Sequence, residues 1–199
     1  MKPLASVLAI VLTAATPSGV GVATIPAPPQ TWGASTAGLR VGLSPVGSAM
    51  FSSSDVEFDA AFENTGDSDL IINLGLMLGN GKSMFPTNLG LLLTDPAGQT
   101  RELHFQEPRV AGRVDDFLVP LRRRSTHTLR IALKQYWSPA TKEFDLKLAG
   151  GRYRIAARFD GRGVQFVNGD MQGVALLSVW RGAAQSNVMD FEVRPVVPQ

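Results

Sequence analysis

The chain has no cysteine among its 199 residues. Disulfides, a lipidated-cysteine anchor, thiolate metal sites and cysteine nucleophiles are thereby excluded. Histidine is nearly as scarce, with only His104 and His127. Two well-separated imidazoles without a thiol fall short of the three or four clustered ligands that zinc wants. No G-x-S-x-G elbow occurs, so neither histidine has a recognisable nucleophile to activate. No Asn-x-Ser/Thr triplet marks a glycosylation acceptor. No segment shows sustained helical periodicity. An excess of one charge is missing too: 19 Lys and Arg face 17 Asp and Glu, a net of +2. Nothing in that balance calls for a nucleic-acid partner. The chain reads as a non-enzyme that needs no cofactor.

What is present begins with a short basic start, Met1-Lys2-Pro3, and an apolar run from Leu4 to Ala15. A run of about twelve residues is too short for a spanning helix, which needs roughly twenty. Followed by small residues, it reads as a signal peptide over 1–23, with cleavage after Ala15 or Ala23, and so as export without a transmembrane segment. Residues 24–31, with Pro26, Pro28 and Pro29, read as an extended tether. From Trp32 onward the dominant signal is period two. Leu39, Val41 and Leu43 alternate with polar or small residues, as do Val56, Phe58, Ala60 and Phe62. Leu70–Leu78, apolar on nearly both faces, predicts a central strand, and FLVPL (Phe117–Leu121) an edge strand because Pro120 cannot donate to a ladder. Phe144, Leu146 and Leu148 predict a further strand, as do Tyr153–Phe159, Val174–Trp180 and Met189–Val193. Asn64–Asp69, Asn80-Gly81 and Asp95–Gly98 are turns by composition. Many short strands separated by such turns predict one all-β antiparallel sandwich of seven to nine strands over residues 32–199.

Several residues could carry function. Asn64, Asp67 and Asp69, and the pair Asp115 and Asp116, could offer oxygen ligands to calcium from two loops. The same residues are ordinary turn chemistry, and their spacing does not match an EF-hand, so no metal is expected. Arg152, Arg154 and Arg158 line one strand face, where Asp190 and Glu192 on a neighbouring last strand would answer them. Asp55, Glu57 and Asp59 could likewise face Arg130 and Lys134. Arg122, Arg123 and Arg124 have no such account and form a candidate partner-binding site on a loop. Tyr136 and Trp137 form a second, with Tyr136 pointing out and Trp137 continuing the core face by parity. Phe166, with Asn168 and Asp170, marks a third on the long loop from Asp160 to Gly173.

Three segments bear a resemblance to bacterial immunoglobulin-like domains, in particular to the family of the Bacillus intracellular proteinase inhibitor. They are VEFDAAFENTGDSDLIINL, LLLTDPAGQTREL and LKLAGGRYRIAARF, spread over Gly38–Phe159. The resemblance implies an immunoglobulin-like sandwich and a proteinase-inhibiting activity. It also implies that Tyr153 turns its hydroxyl onto backbone at a corner between strands. The run from Trp180 through Ser186 and Asn187 to Phe191 is similar to the closing W-x-G…S-N…F-x-V of such domains, a structural role for Trp180 and Asn187. The leading expectation is thus a non-catalytic exported domain that binds a protein or cell-surface partner through loops. Proteinase inhibition is the alternative. A carbohydrate-binding module comes third, because aromatics are only 8% of the chain and show no platform of several rings.

Overall fold

The computed structural model describes residues 30–52, 56–79, 81–107, 109, 111–144, 146–165 and 178–195. The expected signal peptide, nearly all of the tether, Asp55, Phe166, Asn168, Asp170 and Val174–Leu177 lie outside these residues. Among the described residues fourteen strands run in chain order: β1 (Thr31–Trp32), β2 (Leu39–Pro45), β3 (Met50–Phe51), β4 (Glu57–Asn64), β5 (Leu70–Leu78), β6 (Met84–Phe85), β7 (Leu89–Thr94), β8 (Thr100–Phe105), β9 (Val114–Leu121), β10 (Thr126–Ala132), β11 (Tyr136–Trp137), β12 (Gly151–Gly161), β13 (Gly182–Gln185) and β14 (Met189–Val193). Nine of them are five residues or longer. The fold is an all-β sandwich, and the helical content among the described residues is one 3-10 turn, Leu133–Gln135.

One sheet has the order β1-β2-β4-β10, and a larger one the order β11-β8-β7-β12-β14-β3. A three-stranded sheet, β6-β5-β9, adjoins them. Pairing is antiparallel except for the short edge strand β3, which runs parallel to β14. The period-two pattern explains the packing. Leu39, Val41 and Leu43 of β2, Phe58, Ala60 and Phe62 of β4, Leu89, Leu91 and Leu93 of β7, and Tyr153, Ile155, Ala157 and Phe159 of β12 all bury their side chains in one core. Phe51, Phe58 and Phe191 meet edge to face with centroids 5.4–5.9 Å apart, the geometry that aromatic quadrupoles favour. β9 is an edge strand of its sheet, with Pro120 in it.

One expectation fails here for a local reason. Phe144 and Leu146–Leu148 are not strand: Leu146 and Leu148 are buried, but the nearby pairing is an isolated bridge between Ser138 and Glu143. Between Trp180 and β14 lies the short strand β13, Gly182–Gln185. It pairs with the far half of β12 (Arg158↔Gln185) while β14 pairs with the near half (Ile155↔Met189). Four steps on one side oppose three on the other, a β-bulge. Ser186 sits in that bulge, where its buried Oγ accepts from the Ala157 amide at 2.9 Å and donates to the Asn187 carbonyl. Asn187 itself is exposed.

Candidate functional site

Opposite charges lie across from the strand arginines or beside them. Arg130 lies across from Asp59 and bonds it at 3.2 Å. Arg152 and Arg154 lie opposite Glu192 and Asp190, and Arg158 reaches Glu102 and Asp160. The triplet Arg122–Arg124 forms the turn between β9 and β10, with Arg124 in the left-handed region at φ 59°. It faces the Asn64–Asp69 turn. Arg124 pairs with Asp67 at 2.8 Å, and Asp69 accepts from the Arg123 amide. Asn64 turns inward, donating to the carbonyls of Ser68 and Leu121 and accepting from Gly66. The oxygens considered for calcium are thus engaged with protein donors, as an Asx turn would have them. Asp115 and Asp116 are not in a loop at all. They are buried in β9. Among the described residues no group of three or more His, Asp or Glu is placed to hold a metal.

The structure reverses the expected orientations of Tyr136 and Trp137. Tyr136 is 0% exposed, in the core and edge-on to Phe105, so it presents nothing to a partner. The reason is the 3-10 turn Leu133–Gln135. It ends the β10 alternation, carries the chain to the other sheet, and lets β11 pair with β8 (Tyr136↔Phe105, Trp137↔His104). Parity counted from Leu133 therefore runs backwards. Trp137 is half-buried and stacks on Phe144, their rings 5.0 Å apart and within 4° of parallel. Phe144 is 59% exposed. Its neighbour Glu143 is tied to Arg101 at 3.1 Å, which pins the loop that presents the ring.

These rings stand on the wall of a cleft of about 500 Å³ whose lining also includes Asn88, His104, Glu107, Arg162 and Gln165. Two of its lining residues, Asn88 and Gln165, are tied to a buried polar spine behind it. Asn73 donates to Asp116 at 2.7 Å and to the Gly163 carbonyl, and accepts from the Gly75 amide. Asn88 donates to the Asn73 carbonyl, and Asp116 accepts from the Gln165 amide at 2.9 Å. Gly75, at φ +143°, lets β5 press against the chain after β6: a Cβ there would lie 2.3 Å from the Phe85 carbonyl oxygen. Satisfied buried networks of this kind rigidify what they hold.

The remaining singled-out residues hold the fold. Tyr153 donates its hydroxyl to the Ala149 carbonyl, four residues upstream, at 3.0 Å. Trp180 lies over Gly161 and stacks on Phe159, while its indole donates to the Ala37 carbonyl at 3.2 Å. His104 is exposed, 3.6 Å from Glu102. His127 is half-buried opposite Phe62, and burial lowers its pKa. Sequence reasoning missed Phe144 as a surface ring, and with it the cleft. The one available signal for the spine was Asn73, a polar residue in the otherwise apolar LIINLGLML. Neither a protein-family model nor a curated protein matches the chain. Among the described residues no helix is long and apolar enough to cross a membrane.

Proposed function

We propose that this chain is an exported, non-catalytic binding domain and that the Trp137–Phe144 cleft is its recognition site. The observation that carries the reading is the pair of parallel rings, one of them 59% exposed, beside a cleft of about 500 Å³ whose lining includes two residues tied to a buried polar spine. Small-molecule sites typically measure roughly 300–1,000 Å³ and combine aromatic walls with a few fixed polar groups. A single exposed ring is ordinary on a protein surface; its place beside such a space is what points to recognition. Export rests on the order of basic, apolar and small residues over 1–23. The proposed role in binding displaces the arginine turn from first place, because Arg124 already pairs with Asp67 and Asp69 holds the turn's backbone. Proteinase inhibition and membership of the inhibitor's family rest on the resemblance alone.

The test is a thermal-shift screen of the full chain against peptides, oligosaccharides and small polar metabolites, run in parallel on Phe144→Ala. A ligand that raises the melting temperature of the parent and not of the variant supports the cleft. Ligands that stabilise both equally place recognition elsewhere, and a stoichiometric loss of protease activity would restore the inhibitor reading.

A further inference from the structure

Resting on the binding reading above, we infer that the cleft takes a neutral saccharide with equatorial hydroxyls, a short β-linked hexose or N-acetylhexosamine chain. Phe144 offers one flat face to solvent, backed on its other side by Trp137 at 5.0 Å. A pyranose with equatorial substituents has a matching flat face of axial C–H bonds, apolar and the size of one ring. Stacking it there removes both faces from water while the hydroxyls project sideways.

Those hydroxyls need donors and acceptors together, and the cleft has both. Gln165, Arg162, His104 and Glu107 all belong to its lining. The charges of Arg162 and Glu107 are of opposite sign, so the lining shows no excess that would select phosphate or polyanion. Asn88 is tied to the buried spine, its amide already fixed by Asn73. Such preorganisation lowers the ordering cost that weakens polar recognition. A polyproline peptide would instead want successive aromatic ridges. Among the described residues Phe105 is buried beneath the surface, which leaves Phe144 as the exposed ring of the cleft.

The experiment titrates the full chain, parent and Phe144→Ala, with cellotetraose, laminaritetraose and chitotetraose by calorimetry and tryptophan fluorescence. Tetragalacturonate and a proline-rich peptide serve as charged and peptidic comparisons. Phe144 is exposed, so its removal leaves the fold intact, and circular dichroism checks this. The expected result is saturable binding of at least one neutral tetrasaccharide, weakened about tenfold or more in Phe144→Ala, the scale on which loss of one stacking ring acts. Binding should hold from about 50 to about 500 mM salt, a range that screens exposed ion pairs. Failure of all three neutral sugars overturns the inference. If the peptide or tetragalacturonate binds and Phe144→Ala weakens it, the ligand class falls and the cleft stands. If a neutral sugar binds equally well to Phe144→Ala, the cleft falls.

Discussion

Tyr136→Phe should make this protein more stable, and increasingly so at high pH. The Tyr136 ring is fully buried against Phe105, yet its hydroxyl finds no hydrogen-bond partner among the described residues. Burying a hydroxyl without a partner costs about 1–3 kcal/mol by mutational measures. Phenylalanine keeps the ring and its edge-on contact while deleting that oxygen. The small void left behind offsets part of the gain, by under about 1 kcal/mol for so small a volume. A net gain of about 1 kcal/mol at neutral pH follows, or roughly 2–4 °C in melting temperature for a domain of this size.

The second signature comes from ionisation. Burial raises the Tyr136 pKa far above its ordinary 10.0. Above pH 10 the unfolded chain releases this proton and the folded chain keeps it. Stability conferred by the neutral group is therefore complete below about 10 and lost as pH rises, at up to about 1.4 kcal/mol per unit. Phenylalanine has no such proton. The gap between variant and parent should widen from pH 9 to pH 11, read by urea unfolding at each pH. A variant about 1 kcal/mol less stable than the parent at pH 7 would refute the reasoning, since it would mean that the hydroxyl is satisfied. A constant gap across that range would refute the ionisation argument.

Two further outcomes follow from named side chains. Burial lowers the His127 pKa below 6.5, so as pH falls through 6.5 the unfolded chain takes up a proton that the folded chain refuses. Stability should drop there and level off below the folded pKa, and His127→Leu should flatten this part of a melting-temperature–pH profile; an unchanged slope would assign it elsewhere. Ser186→Ala removes the buried acceptor of the Ala157 amide inside the β12–β13 bulge, and an orphaned amide costs about 1–3 kcal/mol. Chemical denaturation should show that loss, and hydrogen exchange should show it concentrated at Ala157.

Much of the fold was legible because alternation is a direct consequence of strand geometry. Leu39–Leu43, Phe58–Phe62 and Tyr153–Phe159 had to place every second residue in a core, and they do. Asp95–Gly98 likewise made the β7–β8 hairpin, with the Gly98 amide closing on the Asp95 carbonyl at 2.9 Å. Charge pairing of Arg130 with Asp59 and of Arg154 opposite Asp190 followed once strand neighbours were guessed.

Tertiary structure alone decided the surface. Parity predicts facing only while a strand continues, and the three residues of the 3-10 turn broke it between Leu133 and Tyr136, exchanging the roles of Tyr136 and Trp137. Phe144 looked like one more core residue of an alternating run. It became an exposed ring because its segment pairs with Ser138 through one bridge and stacks on Trp137. The spine of Asn73, Asn88 and Asp116 joins residues up to 43 positions apart. Local pattern records which way a side chain points from its own strand, whereas a cleft is made by the distances between strands that only the packed chain sets.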